Sequence, residues 1–344
     1  MENHAGARRA TGIAPPTAAA IALAAGLLRD GRLVAFPTET VYGLGADASN
    51  EAALREIFAV KRRPSDHPLI VHVADAGAAR QWARAWPRGA HALAEAFWPG
   101  PLTLIVPRAA HVRVAVTGGQ DSIGLRVPSH PVAQALLAAF AASRADGIAA
   151  PSANRFGHVS PTTAQHVETD LGADVAMILD GGASEVGIES TIVAFVRNRP
   201  VLLRPGSIDV DALTRVLGVD LHYVEADAPR ASGTLASHYA PRTQAVLVAA
   251  EVLRTEIDRR SERDERTAVL ARTASAPNDF DGAWIQAPFD VRTYAHDLYA
   301  SLRTLDDAAA DAILIEAVPA EPEWTAVRDR LSRATHAETP DDRD

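Results

Sequence analysis

The C-terminal part of the chain alternates short apolar strands with helices, and this rhythm restricts the fold more than any other feature of the sequence. Four apolar runs have the length and composition of strands, and three longer runs have helical periodicity. Strands separated by helices form a parallel sheet, because a parallel pair needs a crossover connection. The pattern predicts a small βαβ domain, with strands at 245–248, 267–271, 283–287 and 312–315 and helices at 251–260, 291–306 and 324–334.

The N-terminal part has a different order of elements. Strands there follow one another directly as well as following helices, which indicates an α/β domain with a mixed sheet. Asn50 is placed to cap a helix whose apolar face carries Leu54, Ile57 and Phe58. The predicted strands cover 33–36, 69–73, 102–106, 122–127, 176–179, 192–196 and 201–204, and the predicted helices cover 17–29, 50–60, 131–143 and 162–171.

A loop-rich stretch from 208 to about 242 separates the two parts. With 344 residues the chain is long enough to bury two hydrophobic cores. We therefore predict two domains joined by an extended linker. The predicted boundaries are an N-terminal extension at 1–13, a first domain at 14–207, a linker at 208–243, a second domain at 244–336 and an acidic tail at 337–344.

Composition excludes several classes of function. Cysteine is absent, which removes disulfides, thiolate nucleophiles and cysteine zinc sites. The net charge of −9 disfavours extensive coating of nucleic acid, although a local basic cleft is compatible with it. No apolar run reaches membrane-spanning length, and the N-terminus lacks the features of a secretory signal. We expect a cytoplasmic protein without membrane contact.

Lys61 is the only lysine among the 34 basic residues, and the other 33 are arginine. A lysine ammonium is a compact point charge with three rotatable donors, whereas arginine presents a flat fork. Phosphate sites often combine the two kinds of charge. The simpler interpretation is a solvated residue at a helix end, where a cation suits the helix dipole. Both interpretations stay open for Lys61 taken alone.

Several familiar motifs are missing or incomplete. The chain has no Gly-x-x-x-x-Gly-Lys-Ser/Thr loop, which excludes a P-loop nucleotide site. The segment Gly43-Leu44-Gly45 lies too far from the preceding strand for a dinucleotide fingerprint, and we predict a turn there. Ser152 is not in a Gly-x-Ser-x-Gly elbow. His67 and His72 do not form a convincing metal pair, and we predict no metal site built by the protein.

Short polar segments follow or begin several apolar strands, at 36–45, 150–154, 187–193 and 203–206. Each segment alone is typical of a turn or a cap, because Ser, Thr, Asn, Pro and Gly are turn formers. Together they supply hydroxyls, amides and single cations at loop positions. Such groups suit a triphosphate and a small zwitterionic amino acid.

The chain resembles the YrdC/Sua5 family through motifs that occur in the family's order. These motifs are Phe36-Pro37-Thr38-Glu39-Thr40-Val41-Tyr42-Gly43-Leu44, Lys61-x-Arg63-Pro64-x-x-x-Pro68-Leu69, Pro151-Ser152-Ala153-Asn154 and Glu189-Ser190-Thr191-Ile192. Ser237-His238-Tyr239-Ala240-Pro241 and the segment 326–334 look like the longer Sua5 subtype. The resemblance implies an α/β fold: a twisted mixed sheet with a concave cleft, plus a small Rossmann-like C-terminal domain whose linker passes over the cleft.

The same resemblance implies an L-threonylcarbamoyladenylate synthase, a nucleotidyltransferase. Such an enzyme forms threonylcarbamoyl-AMP and pyrophosphate from L-threonine, bicarbonate and ATP, with Mg²⁺ accompanying ATP. The reaction is the first step of the N6-threonylcarbamoyl modification of adenosine 37 in tRNA. The downstream tRNA threonylcarbamoyl-transferase machinery is therefore an expected partner.

Site roles are implied by the resemblance residue by residue. Lys61 and Arg63 are the expected catalytic residues, because they correspond to the cations that hold the ATP phosphates. Thr38, His72 and Ser190 are the expected threonine contacts. The expected ATP contacts are Lys61, Arg63, Ser65, Ser122, Arg126, Ser152, Asn154, Ser160, Arg204 and Tyr239, of which Tyr239 closes over the bound molecules from the linker.

Two alternatives remain open. The first is an RNA-binding module without nucleotidyl transfer, in which a basic cleft binds a tRNA or duplex RNA. The second is carbamoyl transfer of the hydrogenase-maturation type. It is disfavoured because no acylphosphatase-like or zinc-finger segment precedes Thr17.

Overall fold

The computed structural model describes residues 12–142, 147–223 and 228–336. The predicted N-terminal extension, apart from Gly12 and Ile13, and the predicted acidic tail lie outside the described residues. The strands are β1 (Ile13–Ala14), β2 (Val34–Phe36), β3 (Gly43–Asp47), β4 (Ile70–His72), β5 (Leu102–Pro107), β6 (Ser122–Arg126), β7 (Ile148–Ala149), β8 (Met177–Leu179), β9 (Thr191–Val196), β10 (Arg199–Arg204), β11 (His222–Tyr223), β12 (Ala245–Val248), β13 (Thr267–Ala271), β14 (Trp284–Gln286) and β15 (Ala312–Glu316). The helices are α1 (Ala18–Arg29), α2 (Glu51–Lys61), α3 (Ala76–Gln81), α4 (Arg88–Phe97), α5 (Val114–Thr117), α6 (Pro131–Ala141), α7 (Ala164–Leu171), α8 (Val210–Leu217), α9 (Leu253–Ser261), α10 (Val291–Asp306) and α11 (Thr325–Ala334).

Two sheets organise the described residues. The large sheet has the order β1-β8-β2-β3-β7-β4-β6-β5-β9-β10-β11 and contains both parallel and antiparallel pairs. The small sheet has the order β12-β15-β13-β14, and its pairs are all parallel. The predicted α/β class, with a mixed sheet and a second parallel sheet, is confirmed.

Helices cover the large sheet on both faces, since alternate residues of a strand point to opposite sides. On β2, Val34 and Phe36 belong to the apolar cluster that includes residues of α1 and α6. Ala35 between them belongs to the cluster on the other face, with residues of α2 and α4. None of the helices in the described ranges is long and apolar enough to cross a bilayer.

The α2 helix ends at the residue that the sequence singles out. Asn50 accepts hydrogen bonds from the backbone N–H groups of Ala52 and Ala53, which confirms the predicted cap. Lys61 is the last helical residue, and Arg62 follows it in the left-handed conformation with φ 54°. This turn ends the helix and directs the chain back toward β4.

Two local predictions were wrong. Residues 43–47 form β3 rather than a turn, and the reason lies in packing. A Cβ at Gly45 would lie 2.9 Å from side-chain atoms of both Phe36 and Ile148. Glycine is therefore needed here, because side chains from the two neighbouring strands occupy the space above the backbone. Residues 208–223 of the predicted linker also contain α8 and β11, and Leu213 of α8 is fully buried in the core of the large sheet.

Candidate active site

Lys61 is buried rather than solvated, with 1% of its surface exposed. Its Nζ donates hydrogen bonds to the backbone oxygens of Ser152 and Asn154, both at 2.6 Å. These oxygens belong to the loop after β7, so the helix end and the loop are fixed to each other. An ammonium has three donors, and within the described residues two of them are used. Burial, reinforced by the charge of Arg63, lowers the pKa of Lys61 well below its ordinary value.

Asn154 shapes this loop from inside. Its side-chain nitrogen donates to the backbone oxygens of Arg155 and His158, at 2.8 and 2.7 Å. Its Oδ1 is buried and has no hydrogen-bond partner within the described residues. An unpaired buried acceptor costs free energy unless a ligand or water satisfies it. The loop that Lys61 fixes therefore contains an unused polar atom.

Arg63 connects the same region to the linker. Its Nη2 donates to the backbone oxygen of Pro68 at 2.9 Å and to the hydroxyl of Ser232 at 3.3 Å. The guanidinium also lies 5.5 Å from the ring centre of Phe156. Its Nε is buried without a partner in the described part of the chain. Burial is the main cause that lowers the pKa of Arg63 to about 10.

Arg204 and Ser190 form a second polar group at the ends of β10 and β9. Arg204 donates through Nε to the Ser190 backbone oxygen at 3.1 Å and through Nη2 to the Ser190 hydroxyl at 3.2 Å. The hydroxyl of Thr103 on β5 lies 2.8 Å from the Ser190 hydroxyl. Arg204 also donates to the Ser232 backbone oxygen at 2.8 Å. The linker is thus held by both Arg63 and Arg204.

The loop after β2 contributes a third group. The Thr38 hydroxyl donates to the Val41 backbone oxygen at 2.6 Å and lies 2.8 Å from the Thr40 hydroxyl. Glu39, in the same loop, forms a buried ion pair with Arg126, whose Nη2 is 2.8 Å from Oε1. The geometry of this pair is poor for a hydrogen bond, so both carboxylate oxygens remain acceptors.

His72 ends β4 beside this loop. Burial, together with the charge of Arg126, lowers the pKa of His72 to about 3, so the imidazole is neutral near pH 7. Its Nδ1 is buried and unpartnered within the described residues. The ring packs edge-on against Phe36, with the two centres 6.2 Å apart. A neutral imidazole can donate one hydrogen bond and accept another, but it presents no charge to a ligand.

The three groups surround one cavity, which the linker closes. Its wall includes Thr38, His72, Ser152 and Ser190, and the linker residue Tyr239 lies over it. The cavity volume is about 50 Å³. This is room for a few water molecules but far less than the several hundred Å³ of typical ligand pockets.

Tyr239 is held by aromatic and cationic contacts from the second domain. It is 1% exposed and adopts a left-handed backbone with φ 63°. Its ring stacks on Tyr299 of α10, with centres 5.8 Å apart, and Arg330 of α11 lies 5.2 Å from the ring centre. Such a conformation costs on the order of 1 kcal/mol or more for a bulky residue, and the surrounding contacts sustain it.

Positive charge dominates the interior around the cavity. The buried charged side chains of the described residues are five cations and three carboxylates, and one carboxylate, Glu316, lies in the second domain. Buried charges need partners, because desolvation is expensive. The excess of cations therefore makes the region suitable for a polyanion. No group of three or more His, Cys, Asp or Glu side chains suited to a metal ion occurs within the described ranges.

The structure brings most of the predicted residues together around the cavity, but only some of them line it. Thr38, His72, Arg126, Ser152, Ser190, Arg204 and Tyr239 line the cavity, while Lys61, Arg63 and Asn154 stand behind its wall. Ser160 is fully buried and donates to Glu189 at 2.6 Å rather than facing the cavity. Ser65 is exposed and Ser122 is half-buried, and neither lines the cavity. The roles assigned to all of these residues stay predictions.

Sequence reasoning overlooked several side chains of the site. Glu39 and Glu189 are buried next to cations, although both stood inside motifs that were recognised. For Glu39 the signal was available, because a carboxylate flanked by hydroxyl residues after an apolar strand is unusual for a turn. His238 also stood inside a recognised motif, whereas Ser232 of the linker and Thr103 of β5 had no such signal.

Comparison with known proteins agrees with the architecture. The family model Sua5_yciO_yrdC, described as telomere recombination, matches residues 26–206. A second model, described as threonylcarbamoyl-AMP synthase, C-terminal domain, matches residues 208–336. The threonylcarbamoyl-AMP synthase of Pyrococcus abyssi is 38% identical, over 92% of this chain and 94% of its own length. The protein of the same name from Bacillus subtilis is also 38% identical, over 91% and 92%.

A solved structure covers both domains. The crystal structure of P. abyssi Sua5 complexed with L-threonine has a TM-score of 0.87 and 35% identity, and the match covers 94% of this chain and 98% of that one. The chain therefore belongs to the YrdC/Sua5 family, in the long form that carries the Sua5 C-terminal domain.

Proposed function

We propose that this protein is a threonylcarbamoyl-AMP synthase that acts as a nucleotidyltransferase on L-threonine, bicarbonate and ATP. One observation supports this most strongly: buried cations and a row of hydroxyl side chains meet around a single cavity. A triphosphate needs the cations, and a polar amino acid needs the hydroxyls. The similarity to proteins of this name over 92% of the chain points to the same pairing of substrates.

Lys61 and Arg63 hold the phosphates in this proposal. The third donor of the Lys61 ammonium and the unpartnered Nε of Arg63 are the groups left for phosphate oxygens. The Ser152–Asn154 loop, which Lys61 fixes, contacts the nucleotide. Arg204 and Arg126 add positive potential from the other side of the cavity. Binding of an anion also raises the pKa of Lys61 toward its ordinary value and keeps the ammonium charged.

Thr38, His72 and Ser190 bind threonine. Hydrogen bonds to the Val41 backbone oxygen and to Thr103 hold the Thr38 and Ser190 hydroxyls in place, and both residues line the cavity. The neutral His72 supplies a hydrogen-bonding nitrogen without attracting a second anion. The carboxylate of threonine then lies close to Arg204 or Arg126.

The chemistry requires no covalent enzyme intermediate. The amine nitrogen of threonine forms a bond to the carbon of bicarbonate, water leaves, and N-carboxy-threonine results. One oxygen of its new carboxylate then attacks the α-phosphorus of ATP. The bond between this phosphorus and the oxygen bridging to the β-phosphate breaks, and pyrophosphate leaves with the electron pair. Catalysis rests on positioning and on cations that face the developing phosphate charge.

Mg²⁺ enters as part of the substrate MgATP. Glu189, the carboxylate that lines the cavity, is paired with Arg330, whereas Glu39 is paired with Arg126 and does not line the cavity. One paired carboxylate at the cavity is not enough to form the core of a metal site. Mg²⁺ is commonly held by phosphate oxygens and water with few protein ligands.

The linker must open for each cycle. The closed cavity of about 50 Å³ is too small for ATP and threonine together. We propose that residues 231–239 lift to admit the substrates and then close over them to exclude water. The hydrogen bonds from Arg63 and Arg204 to Ser232 are the contacts that break first, because phosphates compete for the same cations.

The product is consumed by a transferase that acts on tRNA. Threonylcarbamoyl-AMP is an activated mixed anhydride and would hydrolyse if released without an acceptor. We propose delivery to the machinery that modifies adenosine 37, in line with the family resemblance.

A tRNA-binding module without catalysis explains the interior less well. The cations at the cavity are at most 7% exposed, and a duplex backbone cannot reach them. Nonspecific RNA binding depends on exposed cations and falls steeply with salt. Weak RNA contact at the surface remains compatible with a synthase.

Pyrophosphate release tests the proposal. The protein is mixed with ATP, Mg²⁺ and combinations of threonine and bicarbonate, and pyrophosphate is measured with a coupled inorganic pyrophosphatase. We expect release only when both threonine and bicarbonate are present. Release from ATP alone at the same rate would indicate a simple hydrolase, and no release under any condition would contradict the proposal.

A further inference from the structure

A fully buried ion pair connects the second domain to the wall of the cavity. Arg330 of α11 has no exposed surface, and its Nε donates to Glu189 Oε2 at 2.8 Å. Its Nη2 donates to the Pro205 backbone oxygen at 3.0 Å, next to Arg204. Glu189 itself lines the cavity and immediately precedes Ser190. One guanidinium of the second domain thus contacts two strand ends that carry predicted substrate contacts.

Glu189 receives further donors, all from outside its own strand. The hydroxyl of Tyr299 on α10 donates to Oε2 at 2.9 Å, and the hydroxyl of Ser160 donates to Oε1 at 2.6 Å. Burial would raise the pKa of Glu189, but the charges of Arg330 and Arg204 and the Ser160 hydrogen bond offset this and hold it at about 2. The carboxylate is therefore ionised, although it faces a cavity meant for anions.

An uncompensated carboxylate at this position would repel the anionic groups of the substrates. Threonine is a zwitterion with one carboxylate, its N-carboxylated form carries two carboxylates and no ammonium, and ATP carries several negative charges. In a buried site two like charges a few ångströms apart weaken binding strongly. Arg204 alone cannot neutralise Glu189 and also serve a substrate anion. A second cation is needed, and Arg330 is the one in contact.

We propose that Arg330 is a positioning residue for the substrate site, supplied by the second domain, which neutralises Glu189 and so permits the carboxylate of an amino acid to bind beside Ser190. The inference rests on the proposed function, because it assumes a substrate carboxylate in this cavity. It assigns the second domain a direct part in substrate affinity. A first domain without α11 would present an unpaired Glu189 to its substrates.

The same guanidinium also contacts the linker. Arg330 lies 5.2 Å from the ring centre of Tyr239, which stacks on Tyr299. The charge that neutralises Glu189 therefore also stabilises the closed position of Tyr239 by a cation–π contact. Opening of the linker removes this contact but leaves the bond to Glu189 intact, so the cavity wall stays neutralised while substrates exchange.

A merely structural role for Arg330, as a bond that joins the domains, makes a different prediction. Another ion pair joins the domains and serves as a matched control. Arg303 of α10 donates to Asp170 of α7 and, at 2.6 Å, to the Val159 backbone oxygen. Both arginines extend from the second domain to a carboxylate of the first. Only Arg330 reaches a carboxylate that lines the cavity.

The experiment compares four full-length proteins: wild type, Arg330→Met, the double variant Glu189→Gln/Arg330→Met, and Arg303→Met. The dissociation constant for L-threonine is measured by calorimetry, and melting temperatures are recorded for all four. We expect Arg330→Met to weaken threonine binding at least about tenfold. The double variant should bind at least about fivefold more tightly than Arg330→Met, because the repelling charge is gone. Arg303→Met should lower the melting temperature while its threonine affinity stays within about twofold of wild type.

The inference is overturned if the double variant binds threonine no better than Arg330→Met, or if Arg303→Met weakens binding as much. These results are distinct from failure of the proposed function, in which the wild-type protein itself binds no threonine. If Arg330→Met does not fold, Arg330→Lys, which keeps a charge at α11, is compared with the double variant Glu189→Gln/Arg330→Lys. If the double variant binds threonine more weakly than Arg330→Lys, the inference is overturned.

Discussion

Replacement of Lys61 by methionine is expected to affect catalysis far more than stability. Methionine keeps the length of the apolar stem and removes the ammonium. In the folded protein the change removes two hydrogen bonds, to the backbone oxygens of Ser152 and Asn154. It also removes a buried charge whose pKa is already lowered by burial and by Arg63.

The two effects on stability oppose each other. Hydrogen bonds to a charged group contribute about 1.5–3 kcal/mol each, so their loss destabilises the fold. Removing the buried charge relieves a desolvation penalty of several kcal/mol. The two lost bonds cost about 3–6 kcal/mol together, so the two terms largely offset each other and the net destabilisation should be at most about 3 kcal/mol.

The effect on turnover has no such compensation. Loss of one group that stabilises developing charge in a buried site typically costs about 3–4 kcal/mol of activation free energy, which corresponds to a rate decrease of roughly 100- to 1000-fold. The assay is threonine- and bicarbonate-dependent pyrophosphate release at saturating ATP. The control is Arg62→Met, which removes the same charge from the next residue, where the side chain is exposed. We expect the control to keep activity within about threefold of wild type.

Retention of more than about a tenth of the wild-type rate by Lys61→Met would refute the reasoning. Equal losses in Lys61→Met and Arg62→Met would refute it too, because they would show that general positive potential, rather than a positioned ammonium, is what matters.

Three further predictions concern the linker, pH and the second domain. Gly233→Ala should reduce synthesis at least about tenfold, measured by pyrophosphate release, since an added Cβ would lie 2.0 Å from the Tyr239 hydroxyl and displace the closed linker. Burial lowers the pKa of His238 to about 3, so the unfolded state binds its proton first as pH falls below about 6.5. This residue should contribute about 2 kcal/mol less stability at pH 5 than at pH 7, and His238→Gln should show a correspondingly smaller loss in denaturant titrations. Glu316→Ala should destabilise the second domain by about 3 kcal/mol, seen as an earlier unfolding transition, because the carboxylate accepts the Thr273 hydroxyl and backbone N–H groups of the loop after β13.

Local patterns in the sequence were sufficient for most of the regular structure. The alternation of strands and helices after Ala245 predicted the parallel sheet, because two parallel strands need a long connection between them, which is usually a helix. Helices such as α3 and α4 were not predicted. With six residues, α3 is too short to show a helical period, and the buried face of α4 consists of Ala90, Leu93 and Ala94, where alanine gives only a weak apolar signal. The two-residue strand β7 is too short to carry a pattern and exists through its pairing with β3 and β4.

The site was predictable in its parts but not in its contacts. Lys61 and the Ser152–Asn154 segment were identified from residue type and motif. That their partner atoms are backbone oxygens 91 and 93 residues away follows only from the folded chain. The pair of Glu189 and Arg330 is separated by 141 residues and joins two domains, so no local pattern in the sequence indicates it. Short motifs in the sequence identify the residue types that carry the chemistry, whereas the pairing of buried charges depends on the tertiary structure.

The most direct test of the central claim is a mass-spectrometric analysis of the reaction with ¹³C-labelled bicarbonate, unlabelled threonine, ATP and Mg²⁺. The account predicts threonylcarbamoyl-AMP that carries one ¹³C in its carbamoyl group, formed together with pyrophosphate. Formation of AMP and pyrophosphate without a threonine adduct, or an adduct that lacks the label, would contradict it.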